Sequence, residues 1–238
     1  MNSIHPTAII QGDITIGTGN VIGPFAVVTG PLVLGNDNWI GAGTFIGSPP
    51  EVRSWQHPTE TQDASSGNGI IIGSGNVIRE GVQIHQGWRG TTRVGNDCFI
   101  MNQSYIAHDC NVGDSVTMAS SVLLAGHVVL GEASNLGLGV KVHQHRYIGQ
   151  TAMVGMGAVV TNDVLPCVIA YGVPAKMRDV NSVGMERRGY SGVEIAHVRH
   201  AIAEAADQEE IIRAFSTHML KPGLLSSAIS HWEERNGS

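Results

Sequence analysis

Aliphatic residues recur at every sixth position along most of the chain. A helix repeats about every 3.6 residues and a strand about every 2, so a strict period of six matches neither element alone. It matches a short strand followed by a turn, with each six-residue unit forming one flat side of a coil. The pattern runs in three blocks, with in-phase residues at Ile4, Ile10, Ile16, Ile22, Val28, Leu34, Ile40 and Ile46, then Ile72, Ile78 and Ile84, and finally Val94, Ile100, Ile106, Val112, Met118, Leu124, Leu130, Leu136, Val142, Ile148, Val154 and Val160.

This repeat predicts an all-β solenoid, in which the chain winds as a parallel β-helix. At three sides per coil, the 23 units make seven to eight coils. The inward aliphatic side chains stack on their equivalents one coil above and below, so stability is spread along the axis. The Gly, Asn and Asp residues that follow many of them supply the unusual backbone angles needed at corners.

The repeat is interrupted twice, at residues 48–69 and at residues 85–93, inside a predicted β-helix domain that covers residues 1–175. The first segment is rich in Pro, Ser and Gly and should loop out at a corner. Solenoid insertions tend to cluster on the binding face, so we expect both to flank a functional site. Two tolerated surface insertions are the alternative.

Residues 176–238 are predicted to form a small C-terminal α-helical region. Ser191 can cap a helix, because Glu194 stands three residues later as its capping-box partner. Apolar residues then recur at helical spacing, and this helix should end near Leu220. A Pro-Gly pair at 222–223 separates it from a second short helical segment.

Composition excludes several classes of protein. The net charge of −6 argues against a nucleic-acid binder, which normally carries a basic balance. A run of about 18 apolar residues is missing, so we expect no membrane span. The N-terminal residues lack a signal-peptide pattern, and the three widely spaced Cys suggest reduced thiols. We therefore expect a cytoplasmic protein.

Among the eleven His residues, we single out four that lie inside the repeat. Each is separated from the next by approximately the length of one three-sided coil, so His85, His108, His127 and His143 should line one groove. Residues one coil apart on the same side of a solenoid stack in space. A single outward His is more often a solvated surface residue, and that interpretation stays open for each one alone.

His108 is the best candidate for a general base. Imidazole can take a hydroxyl proton near neutral pH, and a carboxylate such as Asp109 can hold its tautomer and stabilise the imidazolium. Adjacent strand residues point to opposite faces, so this pairing requires a turn. The backbone N–H of Gly126 is a candidate donor to an oxyanion. With no nucleophile motif in the chain, direct attack by an acceptor hydroxyl is favoured over an acyl-enzyme.

Several segments resemble the UDP-N-acetylglucosamine O-acyltransferase family of lipid A biosynthesis, notably IREGVQIHQG at 78–87, YIAHDCNVG at 105–113, LAGHV at 124–128 and ERRGYS at 186–191. The resemblance implies a left-handed β-helix and a homotrimer with sites between subunits. It also implies transfer of a 3-hydroxyacyl group from acyl carrier protein to a hydroxyl of UDP-GlcNAc, without a cofactor or metal. Implied roles are catalytic for His108, Asp109 and Gly126, groove-lining for His85, His127, His143 and Gln144, and nucleotide-binding for Asn181, Arg187 and Arg188.

Three residues and one segment depart from the family pattern. Tyr105, expected in the substrate groove, replaces a His, and EVRSW at 51–55 replaces a segment with an acidic and a basic contact residue. Val183 replaces a Glu, and Met156 replaces a Gly where added bulk should shorten the acyl group. Two alternatives stay open: another sugar acceptor or coenzyme A as donor, and a non-catalytic scaffold or zinc-dependent relative.

Overall fold

A computed structural model describes residues 1–57, 67–205, 210–211, 213–214 and 224–236. The chain forms short strands followed by helices, in the order the sequence predicts. The strands are β1 Ser3–Ile4, β2 Ile9–Gln11, β3 Ile14–Ile16, β4 Val21–Ile22, β5 Val27–Thr29, β6 Leu32–Leu34, β7 Trp39–Ile40, β8 Phe45–Ser48, β9 Ile70–Ile72, β10 Val77–Ile78, β11 Gln83–His85, β12 Thr92–Val94, β13 Phe99–Ile100, β14 Tyr105–Ile106, β15 Asn111–Val112, β16 Thr117–Met118, β17 Leu123–Leu124, β18 Val129–Leu130, β19 Asn135–Leu136, β20 Lys141–Val142, β21 Tyr147–Ile148, β22 Met153–Val154, β23 Val159–Val160, β24 Val168–Gly172 and β25 Ala175–Val180. The helices are α1 Ser182–Arg187, α2 Gly192–Glu204 and α3 Leu224–Asn236.

The strands build three parallel sheets that form the faces of a prism. The first face contains β1, β4, β7, β10, β13, β16, β19, β22 and β24, the second runs from β2 to β23, and the third from β3 to β21. Partners in one sheet are normally separated by one regular coil of three six-residue units, as in Ile4 opposite Ile22. The separation is larger where Trp39 pairs with Val77 and where Val77 pairs with Phe99. The two longer separations fall where the sequence predicts insertions, and residues 58–66 of the first insertion lie outside the described residues.

The in-phase aliphatic side chains form the core, as the repeat predicts. Every one from Ile22 to Val160 is buried. The first three are less covered, because they lie at the end of the stack: Ile4 is 43% exposed, and Ile10 and Ile16 are half-buried. Strand β24 adds a further parallel strand on β22 beyond the last predicted unit, so the solenoid extends past the seven to eight coils expected.

Corners between faces often use the left-handed backbone region, and residues other than Gly occupy it. Asp109, His127 and His145 adopt φ of 61°, 62° and 61° at equivalent positions of three successive coils. Asn, Asp and His tolerate this region better than most side chains. The three side chains therefore leave the same corner in the same direction.

The C-terminal region begins with a hairpin, which corrects the expectation of helix from residue 176. Strand β25 pairs antiparallel with β24, and helix starts only at Ser182. The capping box of Ser191 and Glu194 is present at the start of α2. Helix α2 ends at Glu204, and Leu220 and the pair at 222–223 lie outside the described residues. Of the helices that can be described, none has the length and apolarity to cross a bilayer.

Candidate active site

His108 and Asp109 form a close pair at the corner between the second and third faces. The Nδ1 atom of His108 lies 2.7 Å from Oδ2 of Asp109. The left-handed φ of Asp109 supplies the turn that lets two adjacent side chains meet. Both side chains are largely covered, with 14% and 5% of their surfaces exposed. The geometry leaves Nε2 of the imidazole as the nitrogen that can accept a proton.

The second insertion surrounds the other oxygen of Asp109 with backbone donors. The N–H groups of Trp88, Arg89 and Gly90 donate to Oδ1 at 3.1, 2.9 and 2.6 Å. Burial alone raises the pKa of this carboxyl, but the Gly90 N–H, His108 and the other two N–H groups together outweigh it, and the pKa is lowered. The insertion thus keeps Asp109 ionised beside the imidazole, and its three N–H groups bring it against the His108–Asp109 pair.

Gly126 packs directly against the His108 ring from the next coil. A Cβ added at Gly126 would lie 2.6 Å from Cε1 and 2.7 Å from Nε2 of His108. Among the described residues the Gly126 N–H donates to no partner, whereas the N–H groups on either side both donate to backbone carbonyls. The position predicted for an oxyanion donor therefore offers a free N–H beside the base.

The imidazoles of His108, His127 and His145 form a column along the solenoid axis. This column differs from the predicted one, which contained His143 and His85 in place of His145. The ring of His127 meets His108 edge-on at 5.2 Å between centroids, and His145 stacks on His127 at 4.4 Å with planes 9° apart. His143, expected in the column, is exposed, and its Nδ1 lies 3.2 Å from the carbonyl of Gln144. His145 follows His127 by one full coil, which is the signal that identifies it in the sequence.

Several titratable or charged side chains surround His127. Its Nε2 lies 3.6 Å from Oδ2 of Asp109. Burial lowers the pKa of His127, the Asp109 carboxylate opposes this shift, and His145, His108 and Arg89 add to it. The net result is a lowered pKa, so His127 favours the neutral form.

The start of the first insertion contacts the groove next to His108 through hydrogen bonds with His85 and Tyr105. Nδ1 of His85 lies 2.7 Å from the carbonyl of Pro49, and the His85 ring contacts that of Tyr105 at 5.0 Å between centroids. The Tyr105 hydroxyl donates to the carboxylate of Glu51. Burial and then this carboxylate raise the pKa of Tyr105, so it stays a neutral donor. His85 and Tyr105 pack together rather than forming part of the imidazole column.

Comparison with known proteins gives the family. A family model described as UDP N-acetylglucosamine O-acyltransferase, domain 2, matches residues 163–217. The acyl-[acyl-carrier-protein]–UDP-N-acetylglucosamine O-acyltransferase of Aliivibrio salmonicida is 39% identical over 211 residues, which cover 83% of this chain and 80% of that protein. The chain belongs to the UDP-N-acetylglucosamine O-acyltransferase family. The enzyme of the same name from Aliivibrio fischeri is 40% identical over 148 residues, and there the match spans only 56% of the relative's length.

Solved structures of the family have the same fold. The UDP-N-acetylglucosamine acyltransferase from Campylobacter jejuni superposes with a TM-score of 0.80 at 25% identity, covering 97% of this chain and 93% of that one. The enzyme from Moraxella catarrhalis gives 0.72 at 28% identity, covering 100% and 93%. The match also confirms the left-handed β-helix that the resemblance implied.

The remaining residues expected from the family pattern divide between the corner of His108 and other parts of the chain. Met156 follows β22 at the corner between the first and second faces and is 76% exposed, whereas His143 and Gln144 share the corner of His108. Asn181 caps α1, since its Oδ1 accepts from the Gly184 N–H at 3.1 Å. Arg187 and Arg188 end that helix; Arg187 is exposed and Arg188 pairs with Glu132. Within one chain, Met156 therefore lies at a different corner from His108, and Asn181, Arg187 and Arg188 belong to α1 or its caps.

His108, Asp109 and His127 also have the spacing of metal ligands. One donor atom from each of His108, Asp109 and His127 lies within 4.8 Å of the others. The two oxygens of Asp109 already face three N–H groups and the His108 imidazole, so binding a metal would replace the pairing that orients the base. The expectation that the family member works without a metal stays a prediction.

Proposed function

We propose that this chain transfers a 3-hydroxyacyl group from acyl carrier protein to a hydroxyl of a UDP-aminosugar such as UDP-GlcNAc. The observation that carries the proposal is the His108–Asp109 pair, with three backbone N–H groups on one carboxylate oxygen. A carboxylate so oriented fixes the proton on Nδ1 and leaves Nε2 to act as general base. The names of the relatives give the donor and acceptor class.

The reaction proceeds by direct attack. Nε2 of His108 takes the acceptor hydroxyl proton as its oxygen attacks the thioester carbonyl, and Asp109 stabilises the imidazolium. The developing oxyanion is met by the free N–H of Gly126. Collapse breaks the carbon–sulfur bond, and the imidazolium returns the proton to the leaving thiolate. A cysteine acyl-enzyme is disfavoured, because burial raises the pKa of Cys98 to about 11 and of Cys110 to about 12.

The substrate site is shared between subunits of a homotrimer. His85, Tyr105, His127, His143 and Gln144 line the acyl and sugar groove of one subunit. A neighbour contributes the other edge of the prism, where Met156 limits acyl length and Asn181, Arg187 and Arg188 contact the nucleotide. Guanidinium groups suit a diphosphate because they bind it through paired hydrogen bonds. A cytoplasmic location and the absence of a cofactor belong to the same proposal.

A second candidate is the same reaction with another sugar acceptor, or with coenzyme A as donor. The pairing of Tyr105 with Glu51 favours it, since a neutral donor held by an acidic side chain stands where the family usually has an imidazole. Val183, exposed on α1, cannot supply the carboxylate that family members place near the nucleotide. The short GVPAK segment at 172–176 is more typical of enzymes that use coenzyme A.

One assay separates the two acyl donors. Purified protein is given UDP-GlcNAc with either 3-hydroxyacyl carrier protein or the matching acyl-coenzyme A, and acylated UDP-sugar is measured by mass spectrometry. We expect the carrier-protein donor to support turnover and His108→Ala to reduce it by at least about 10²-fold, the usual contribution of a general base.

His200→Ala is the matched control, because His200 is an exposed His on α2. Its activity should equal that of the unmodified protein. Full activity in the His108→Ala variant, with its melting temperature unchanged, would contradict the base assignment. Turnover with coenzyme A alone would replace the first candidate by the second.

A further inference from the structure

Asp109, His127 and His145 form a vertical series at one corner of the solenoid. They follow β14, β17 and β20 at the same position, each one coil after the last, and their backbones have φ of 61° to 62°. The stack therefore continues one coil beyond the residues that the mechanism uses. His145 has no role in the proposed reaction.

The His145 ring contacts the ring of His127, and the His145 backbone N–H donates to the Gly126 carbonyl at 3.0 Å. The two imidazoles lie almost parallel, with centroids 4.4 Å apart, while the edge contact between His127 and His108 is 5.2 Å. One face of His127 is thus covered by His145, and its Nε2 is directed toward Asp109 Oδ2 at 3.6 Å. Because His145 itself is exposed, it forms the outer cover of the column.

The charge on His127 matters to the base because both imidazoles face one carboxylate oxygen. A protonated His127 would add a cation beside Asp109 Oδ2, which would weaken the attraction between that carboxylate and the imidazolium of His108. His108 would then be a weaker base. When His127 is neutral, the His108 imidazolium is the only cation paired with Oδ2 of Asp109.

We propose that His145 is a positioning residue that acts through His127, holding the His127 imidazole neutral and in place beside the His108–Asp109 pair. The proposal rests on the proposed role of His108 as base. The groups that face His127 are Asp109, His108, Arg89 and His145, and of these Asp109 alone favours its protonation. Removing the cover should therefore make His127 easier to protonate.

The test compares two substitutions at the same backbone conformation. His145→Asn removes the ring and suits the left-handed region. His145→Phe keeps a flat ring over His127, and Phe25 shows that Phe is accepted at such a corner, with φ of 59°. The ring protonation of His127 is followed by NMR titration, and turnover is measured from pH 5.5 to 8.5.

In His145→Asn we expect the His127 pKa to rise and the acid limb of turnover to move to higher pH. A shift of about half a pH unit would lower turnover at pH 6 by about threefold and leave it almost unchanged at pH 8. His145→Phe should restore most of the unmodified behaviour, because it restores the cover.

An unchanged His127 titration in His145→Asn would overturn the proposal. So would a loss in His145→Asn that is equal at pH 6 and pH 8, since that would indicate general damage to the groove. If the unmodified protein transferred no acyl group, the proposed function would fail, while the titration would still test the contact between His145 and His127.

Discussion

Gly126 leaves no room for a side chain beside the catalytic imidazole. Its N–H is free to donate, and its α-carbon lies so close to His108 that a methyl group would overlap the imidazole. Its backbone is outside the left-handed region, so the restriction comes from the neighbour rather than from its own conformation. Gly is needed here for close approach.

Gly126→Ala should displace the His108 ring while leaving the coil intact. We expect turnover to fall about 100-fold, the effect of a misplacement of about 1 Å at a reacting group. The melting temperature should stay within a few degrees of the unmodified protein. Gly192→Ala is the control, because an added Cβ there has no atom within 4 Å. Unchanged turnover in Gly126→Ala would contradict the close contact.

At the residue scale, the sequence predicts which residues form the His108 site better than it predicts which imidazoles stack above it. His108, Asp109 and Gly126 meet as expected, because Asp109 directly follows His108 and Gly126 is one coil beyond it. The spacing also predicts His143 in the column, since its sequence distance from His127 is close to the length of one coil. That distance is slightly shorter than a coil, so the His143 side chain takes another position on the corner. His145, at the full spacing, takes the place.

At the scale of elements, the short second insertion determines the surroundings of the Asp109 carboxylate. It lengthens the coil that joins Val77 to its partner Phe99, and the added backbone directs three N–H groups at Asp109. The sequence predicts that residues 85–93 leave the coil near the site. The direction of three N–H groups depends on backbone angles within the loop, which no side-chain pattern reveals.

Deleting residues 87–90 should restore an uninterrupted coil and remove these donors. The pKa of Asp109 should then rise toward or above its ordinary value of 3.8, since burial would be opposed by His108 alone. In the unmodified protein the lowered pKa stabilises the fold above pH 3.8, and this is lost as pH falls through the lowered value.

Acid unfolding followed by circular dichroism checks this prediction. The unmodified protein should lose more stability between pH 5 and pH 2.5 than the deletion variant, and the variant should also lose most of its turnover. Parallel acid-unfolding curves for the two proteins would contradict the effect of the three N–H groups on Asp109.

At the scale of the whole molecule, stability comes from a single continuous stack of aliphatic side chains. Ile84 is fully buried near the middle of the solenoid, whereas Ile4 is 43% exposed at its end. The period of six predicts this core almost completely. It does not predict the β24–β25 hairpin, whose pairing is antiparallel and follows no six-residue register.

Ile84→Ala should cost about 2–5 kcal/mol of unfolding free energy, and Ile4→Ala less than about 1 kcal/mol, because only the first leaves a buried cavity. Denaturant unfolding of both variants measures the difference. Equal losses would contradict the description of the first coil as a partly covered end.

The constant length of the regular coil divides the groove into discrete levels. Neighbouring strands lie about 4.8 Å apart, so functional groups at one corner are available only at multiples of that distance along the axis. A substitution can add, remove or exchange a group at a level without moving the backbone of the others. Substrate preference in such a scaffold should therefore change in steps, each tied to one residue at one level, as at Asp109, His127 and His145.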